Sequence, residues 1–236
     1  MTSKEILREL KPLGRESYKR LLMANHGIRE PFFGVPVSEL KRLQKRLAND
    51  HALALELYET GNYDAMYLAG LIADDGRMTK RDLQRWADGA YARALAGATV
   101  AWVAAGSPHG PEMARKWIES AKPLVAAAGW ATLGSLVSVR DDADLDLAEL
   151  RRLLQRVEKT IRQAPDVVRS QMNSFLIAVG THVTPLTELA LEVGARIGPV
   201  TADLGANDCR IAFAPDSIRK AQKRGALGKK RKSAKC

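Results

Sequence analysis

The chain is poor in several things, and each scarcity removes a class of protein. Two cysteines, Cys209 and Cys236, stand among 236 residues. That is too few for a disulfide framework, and neither has neighbours at metal-ligand spacing. No apolar run approaches the ~20 residues that a membrane span needs. Met1 to Gly14 interleaves Lys4, Glu5, Arg8, Glu9 and Lys11 with leucines, the pattern of an amphipathic helix rather than a signal peptide. The expected compartment is the cytoplasm, with no membrane partner. The four histidines, His26, His51, His109 and His182, are too far apart to share a metal and are read as solvated or locally capping. No phosphate loop, dinucleotide fingerprint or nucleophile elbow occurs, so neither a nucleotide-using enzyme nor a conventional hydrolase finds support. No cofactor and no metal are expected.

Helical periodicity fills the space left by these absences. Leu40, Leu43 and Leu47 recur at three- and four-residue steps, with Lys41, Arg42, Lys45 and Arg46 between them. The spacing repeats over His51 to Thr60 and Asn62 to Ala73, and Thr79 with Asp82 forms a capping-box pattern that opens another helix. Ala87 to Gly106 is rich in alanine and glycine and predicts a closely packed helix pair. Leu145 to Ile161 carries the cleanest stripe, Leu147, Leu150, Leu154, Val157 and Ile161, with arginines around it. Two further helices fit Asp166 to Val179 and Thr184 to Ile197. About a dozen short helices joined by short polar turns indicate stacked helix pairs. Domain organisation is expected as a helical body over 1–198 and a less regular extension over 199–236, at most partly ordered after Pro215.

Charge is unevenly placed. The net charge is +10, and from Asp216 to the end nine basic residues oppose one acid, accounting for +8 of it. The body is therefore near neutral. Lys229, Lys230, Arg231 and Lys232 form a compact run of the kind that binds phosphates by releasing counterions, or simply solubilises a tail. Asp141, Asp142, Asp144 and Asp146 resemble a calcium loop only in density. Counted from Asp142, the sixth and twelfth positions are Leu147 and Leu153, where glycine and glutamate are required, so capping of the following helix explains them better. Trp86, Trp102, Trp117 and Trp130 fall within 45 residues of one another. They fill core or line a groove where they stack on bases.

Four landmarks in order carry a resemblance: Phe32-Phe33-Gly34-Val35, Gly61-Asn62-Tyr63-Asp64, Lys116-Trp117-Ile118-Glu119-Ser120, and Ala126-Ala127-Ala128-Gly129-Trp130-Ala131. Over Glu16 to Ile197 the chain resembles the DNA alkylation repair family, HEAT-like (armadillo-like) helical solenoids that include the alkylpurine DNA glycosylases. The resemblance implies helix pairs curving around a basic groove that cradles DNA. It also implies groove tryptophans, phosphate-holding arginines and an aspartate that stabilises the cation formed as an alkylated base departs. Counted from Trp86, the aspartate position is Ala90; counted back from Trp117, it lies near Trp102 to Ala104. The family's arginine before paired alanines maps onto Ala127. In Met172 to Val179, Phe175 supplies an aromatic surface and nothing replaces the arginine. Losing one well-placed electrostatic group costs on the order of 10²- to 10³-fold in rate.

The resulting expectation is an all-α HEAT-like solenoid with a basic C-terminal extension that binds double-stranded DNA by its backbone. Trp86, Trp102, Arg152, Arg156 and Lys229 to Lys232 are the expected contacts. A scaffold that binds a protein partner on the same concave surface is the alternative. An active alkylpurine DNA N-glycosylase, with Asp88 as its relocated acid, is the third.

Overall fold

The computed structural model describes residues 1–26, 28–205 and 211–235, so Cys209 and Cys236 lie outside the described residues. Among those, no strand occurs. The helices are α1 (Ser3–Leu10), α2 (Glu16–His26), α3 (Val37–Leu47), α4 (His51–Glu59), α5 (Tyr63–Ile72), α6 (Lys80–Gly89) and α7 (Ala101–Gly106). They continue as α8 (Gly110–Trp117), α9 (Pro123–Val139), α10 (Leu147–Thr160), α11 (Asp166–His182), α12 (Thr187–Ile197) and α13 (Ala214–Lys223). Local chemistry sets many of their starts. Thr2 with Glu5 and Thr79 with Asp82 form capping boxes. Asp50, Asn62 and Asp146 each accept an amide proton from the first turn that follows. The acidic cluster before α10 is thus partly a helix cap.

Successive helices pair as α4 with α5, α6 with the helical run Leu95–Gly106 through its first turn, α8 with α9, α10 with α11, and α12 with α13. One member of each pair also packs on its counterpart in the next, giving an inner row of α3, α5, the Leu95–Gly106 run that ends in α7, α9, α11 and α13. Helices α1, α4, α6, α8, α10 and α12 form the outer row. This is the all-α stack of helix pairs that the periodicity predicts, with the HEAT-like arrangement that the resemblance implies. The leucine stripe of α10 is buried at Leu150, Leu153, Leu154 and Val157, while Arg151 and Arg152 face solvent.

Three expectations are corrected. The helix pair between Ala87 and Gly106 is instead the end of α6 and one further helical run, whose first turn, Leu95–Val100, is a π-helix leading into α7. Small residues at 96, 97 and 98 put no bulky side chain against that wider turn. His51 is buried rather than solvated. Residues 216–235 are ordered: α13 packs against α11 and α12, because Ile218 and Pro215 fill the spaces that Gly180 and Gly194 leave open.

Two of the sequence landmarks turn out to be halves of one interaction. The Asp64 side chain, fully buried at the start of α5, accepts the amide protons of Phe33, Gly34 and Val35 at 2.6, 3.1 and 3.0 Å. Burial pushes its carboxyl above the ordinary range, and the three amides pull against that. Gly34 is required by geometry, with φ of +76° and Lys19 backbone 2.8 Å from where a Cβ would stand. Phe32 meets Tyr63 edge-on at 6.3 Å. Asp64→Ala should leave these amides buried and unpaired and cost roughly 3–5 kcal/mol. A urea titration checks this, with a lowered midpoint and an unchanged slope expected. Asp64→Asn, which keeps an acceptor oxygen, should lose less.

Candidate nucleic-acid interface

The free face of the inner row is recessed over α9. There Ala131, Gly134, Ser135 and Ser138 present little beyond the backbone, while Gln171, Ser174, Ala178 and His182 of α11 rise on one side. Gly97 of the π turn closes the other. The trough holds about 210 Å³, and Arg231 stands at its mouth. Its floor is Trp130 against Phe175, ring centroids 5.3 Å apart. Its polar lining is neutral hydrogen-bonding groups and one cation, Arg231. Among the described residues, no carboxylate lines it.

The tryptophans expected in a groove are core. Trp86 is 1% exposed and stacked on Tyr58, with centroids at 4.1 Å and planes within 6°. The Tyr58 hydroxyl donates to the Trp86 carbonyl at 2.6 Å. Trp102 is 7% exposed and meets Tyr67 edge-on at 5.6 Å. Neither leaves a ring face on which a base can stack. The physical reason is size: at these positions the largest side chains fill the space between rows, while small residues face the trough.

The charged candidates divide. Asp88 is exposed at the end of α6, in the outer row, and is held by Lys122 at 2.7 Å and Gln84 at 3.0 Å. Those contacts, Lys122 first, keep its carboxyl below the usual range, and it does not line the trough. Arg156 pairs with Glu119, donates to the Ile118 carbonyl at 3.3 Å and lies 5.7 Å from the centre of the Trp130 ring. It borders a separate cleft of about 260 Å³, beside Ser120, Thr160 and Gln163. Arg152 is exposed on the same outer-row helix.

Lys229 to Lys232 are not a loose run. Beyond α13 the chain crosses the C-terminal ends of three inner helices. The Gly228 amide donates to the Thr181 carbonyl at 2.9 Å, and the Arg231 amide to that of Ser138 at 2.7 Å. His182 Nδ1 lies 2.7 Å from the Lys229 carbonyl, a contact that puts the ring proton on Nδ1, and burial lowers this imidazole's basicity. Lys230 Nζ donates to the Val137 carbonyl at 3.0 Å and to Asp142 at 2.8 Å. Lys235 Nζ donates to the Ala73 carbonyl at 2.7 Å and pairs with Asp75 at 2.8 Å. Lys229, Arg231 and Lys232 keep exposed side chains. Sequence reasoning did not place Ser135, Gln171, Ser174 or His182 along a trough; the small-residue stretch that begins at Ala126 is a signal for Ser135, and nothing in the sequence singles out Gln171 or Ser174.

The model of the DNA alkylation repair enzyme family matches residues 6–213. The chain belongs to that family. Uncharacterized protein Lin0241 of Listeria innocua and Uncharacterized protein Lmo0209 of Listeria monocytogenes are 29% and 28% identical to it over 209 residues, 86% of this chain and 90% of theirs. A solved structure is similar over the whole of both chains, at 38% identity and a TM-score of 0.90. That protein represents a new family related to the HEAT-like repeat DNA glycosylases, with affinity for branched DNA structures. Membership confirms the resemblance drawn from the landmarks.

Asp75 offers a test of the tail's seat. Burial pushes its carboxyl up to about 6, against the pull of Lys235. A folded-state value above the unfolded ~3.9 means that the native state holds this proton longer. The contribution to stability is present below about pH 4 and lost as pH rises through about 6. The stability of the wild type minus that of Asp75→Asn should therefore fall by up to about 3 kcal/mol across this window. Denaturant titrations at several pH values measure it, and a flat difference contradicts the assignment.

Proposed function

We propose that this protein holds DNA by its backbone along the free face of the inner helix row and does not act as a glycosylase. The trough lining carries the reading. Hydroxyls, an amide and one arginine suit phosphate and sugar contacts. An oxocarbenium-like centre needs a nearby anion to be stabilised, and the described residues of the trough supply none. The whole-length likeness to a protein with affinity for branched DNA supports a substrate defined by shape, such as a junction, in which bent or splayed arms fit a surface with no base-reading helix. The contacts assigned are Arg231, Lys229 and Lys232, with Ser135, Gln171 and Ser174 in the trough. Such a partner requires the working protein to meet cellular DNA.

Fluorescence anisotropy with a four-way junction and a linear duplex of equal length, across a salt series, tests the reading. The junction should bind more tightly, and log K should fall linearly with log salt for both. No salt-sensitive binding to either would reject DNA as the partner and leave a protein ligand for the same face. Incubation with methylated duplex under saturating protein should release no base; release would restore the glycosylase reading.

A further inference from the structure

The inner helices end along one edge, where their last carbonyls lack intrahelical partners and the helix dipoles are negative. Left bare, that edge of the trough would repel a phosphate chain. The C-terminal segment lies across it. Lys230 reaches the end of α9 and Lys235 the end of α5, their side chains 16% and 14% exposed. Between and beside them Lys229, Arg231 and Lys232 point outward, so two lysines are spent on the helix ends and three cations remain for a ligand. Ala234 is buried against the body. The two inward lysines each reach a different helix end, through the Val137 and Ala73 carbonyls.

We propose that residues 226–235 form a fixed strap that reverses the sign of this edge, with Arg231 contacting a DNA phosphate at the trough mouth and Lys230 and Lys235 acting as positioning residues. The proposal rests on the DNA-binding reading above. It adds that the tail binds as a built part of the solenoid, in a single register, rather than as a free polycation.

Three full-length chains separate the possibilities. Arg231→Ala leaves both buried lysines in place; it should weaken junction binding about tenfold and flatten the log–log salt slope by about 0.9. Lys230→Ser combined with Ser233→Lys keeps composition and net charge but moves the anchor. It should weaken binding by a similar factor, and native-state trypsin should then cut within 229–232, where the wild type resists. If the relocated variant binds with wild-type affinity and slope, the tail is a loose polycation and the strap is overturned, while the DNA reading stands. If the wild type shows no salt-sensitive binding, the DNA reading fails first. Trypsin resistance of the wild type would then support the strap as a structural brace only, and its assignment as a DNA edge is rejected.

Discussion

Close approach of helices through small side chains is the constraint on which the rest of the molecule depends. Gly70 of α5 lies so near Thr99 that a Cβ would stand 2.6 Å from its methyl group, and Gly129 of α9 would meet the backbone of Ile118 at 2.7 Å. The first contact sets the spacing along the inner row, the second the spacing between rows. Close spacing lets short helices bury nearly all of their apolar surface against neighbours. It also makes α9 a floor rather than a ridge. The trough exists because alanine, glycine and serine face it while Trp86, Trp117 and Trp130, each about 1% exposed, occupy the interior.

Packing of this kind has a second consequence for charge. Helices stacked side by side bring their carbonyl ends to one edge, and a concentrated negative edge is a poor boundary for a surface that meets a polyanion. Two half-buried lysines neutralise it locally. Each combines a charge-assisted hydrogen bond to a terminal carbonyl with a carboxylate, Asp142 or Asp75, close by. Most other charged pairs, such as Arg115 with Glu149 and Arg196 with Glu158, bridge neighbouring helices at the surface and contribute little individually.

Much of the secondary structure was legible, and some of the site was not. The capping residues Thr79, Asp82 and Asp146 announce helix starts because their bonds reach only three residues. The stripe of α10 announces a buried face because its period is fixed by helix geometry. Periodicity is silent on α13, whose burial depends on Gly180 and Gly194 elsewhere in the chain. It is equally silent on which side of a helix a tryptophan occupies, so Trp86 and Trp102 looked available for a groove that they do not reach.

By itself, the sequence determined the helical stack, because periodicity and capping follow from residue type and local spacing, and its landmarks in order carried the resemblance to the family. Only the tertiary structure decided where the positive charge goes. The partners of Lys230 and Lys235 are helix ends about 90 and 160 residues away, brought within reach by folding alone. A run that composition describes as a solvated tail is thereby seated on carbonyl groups, since terminal acceptors gathered at one edge attract the nearest flexible cations.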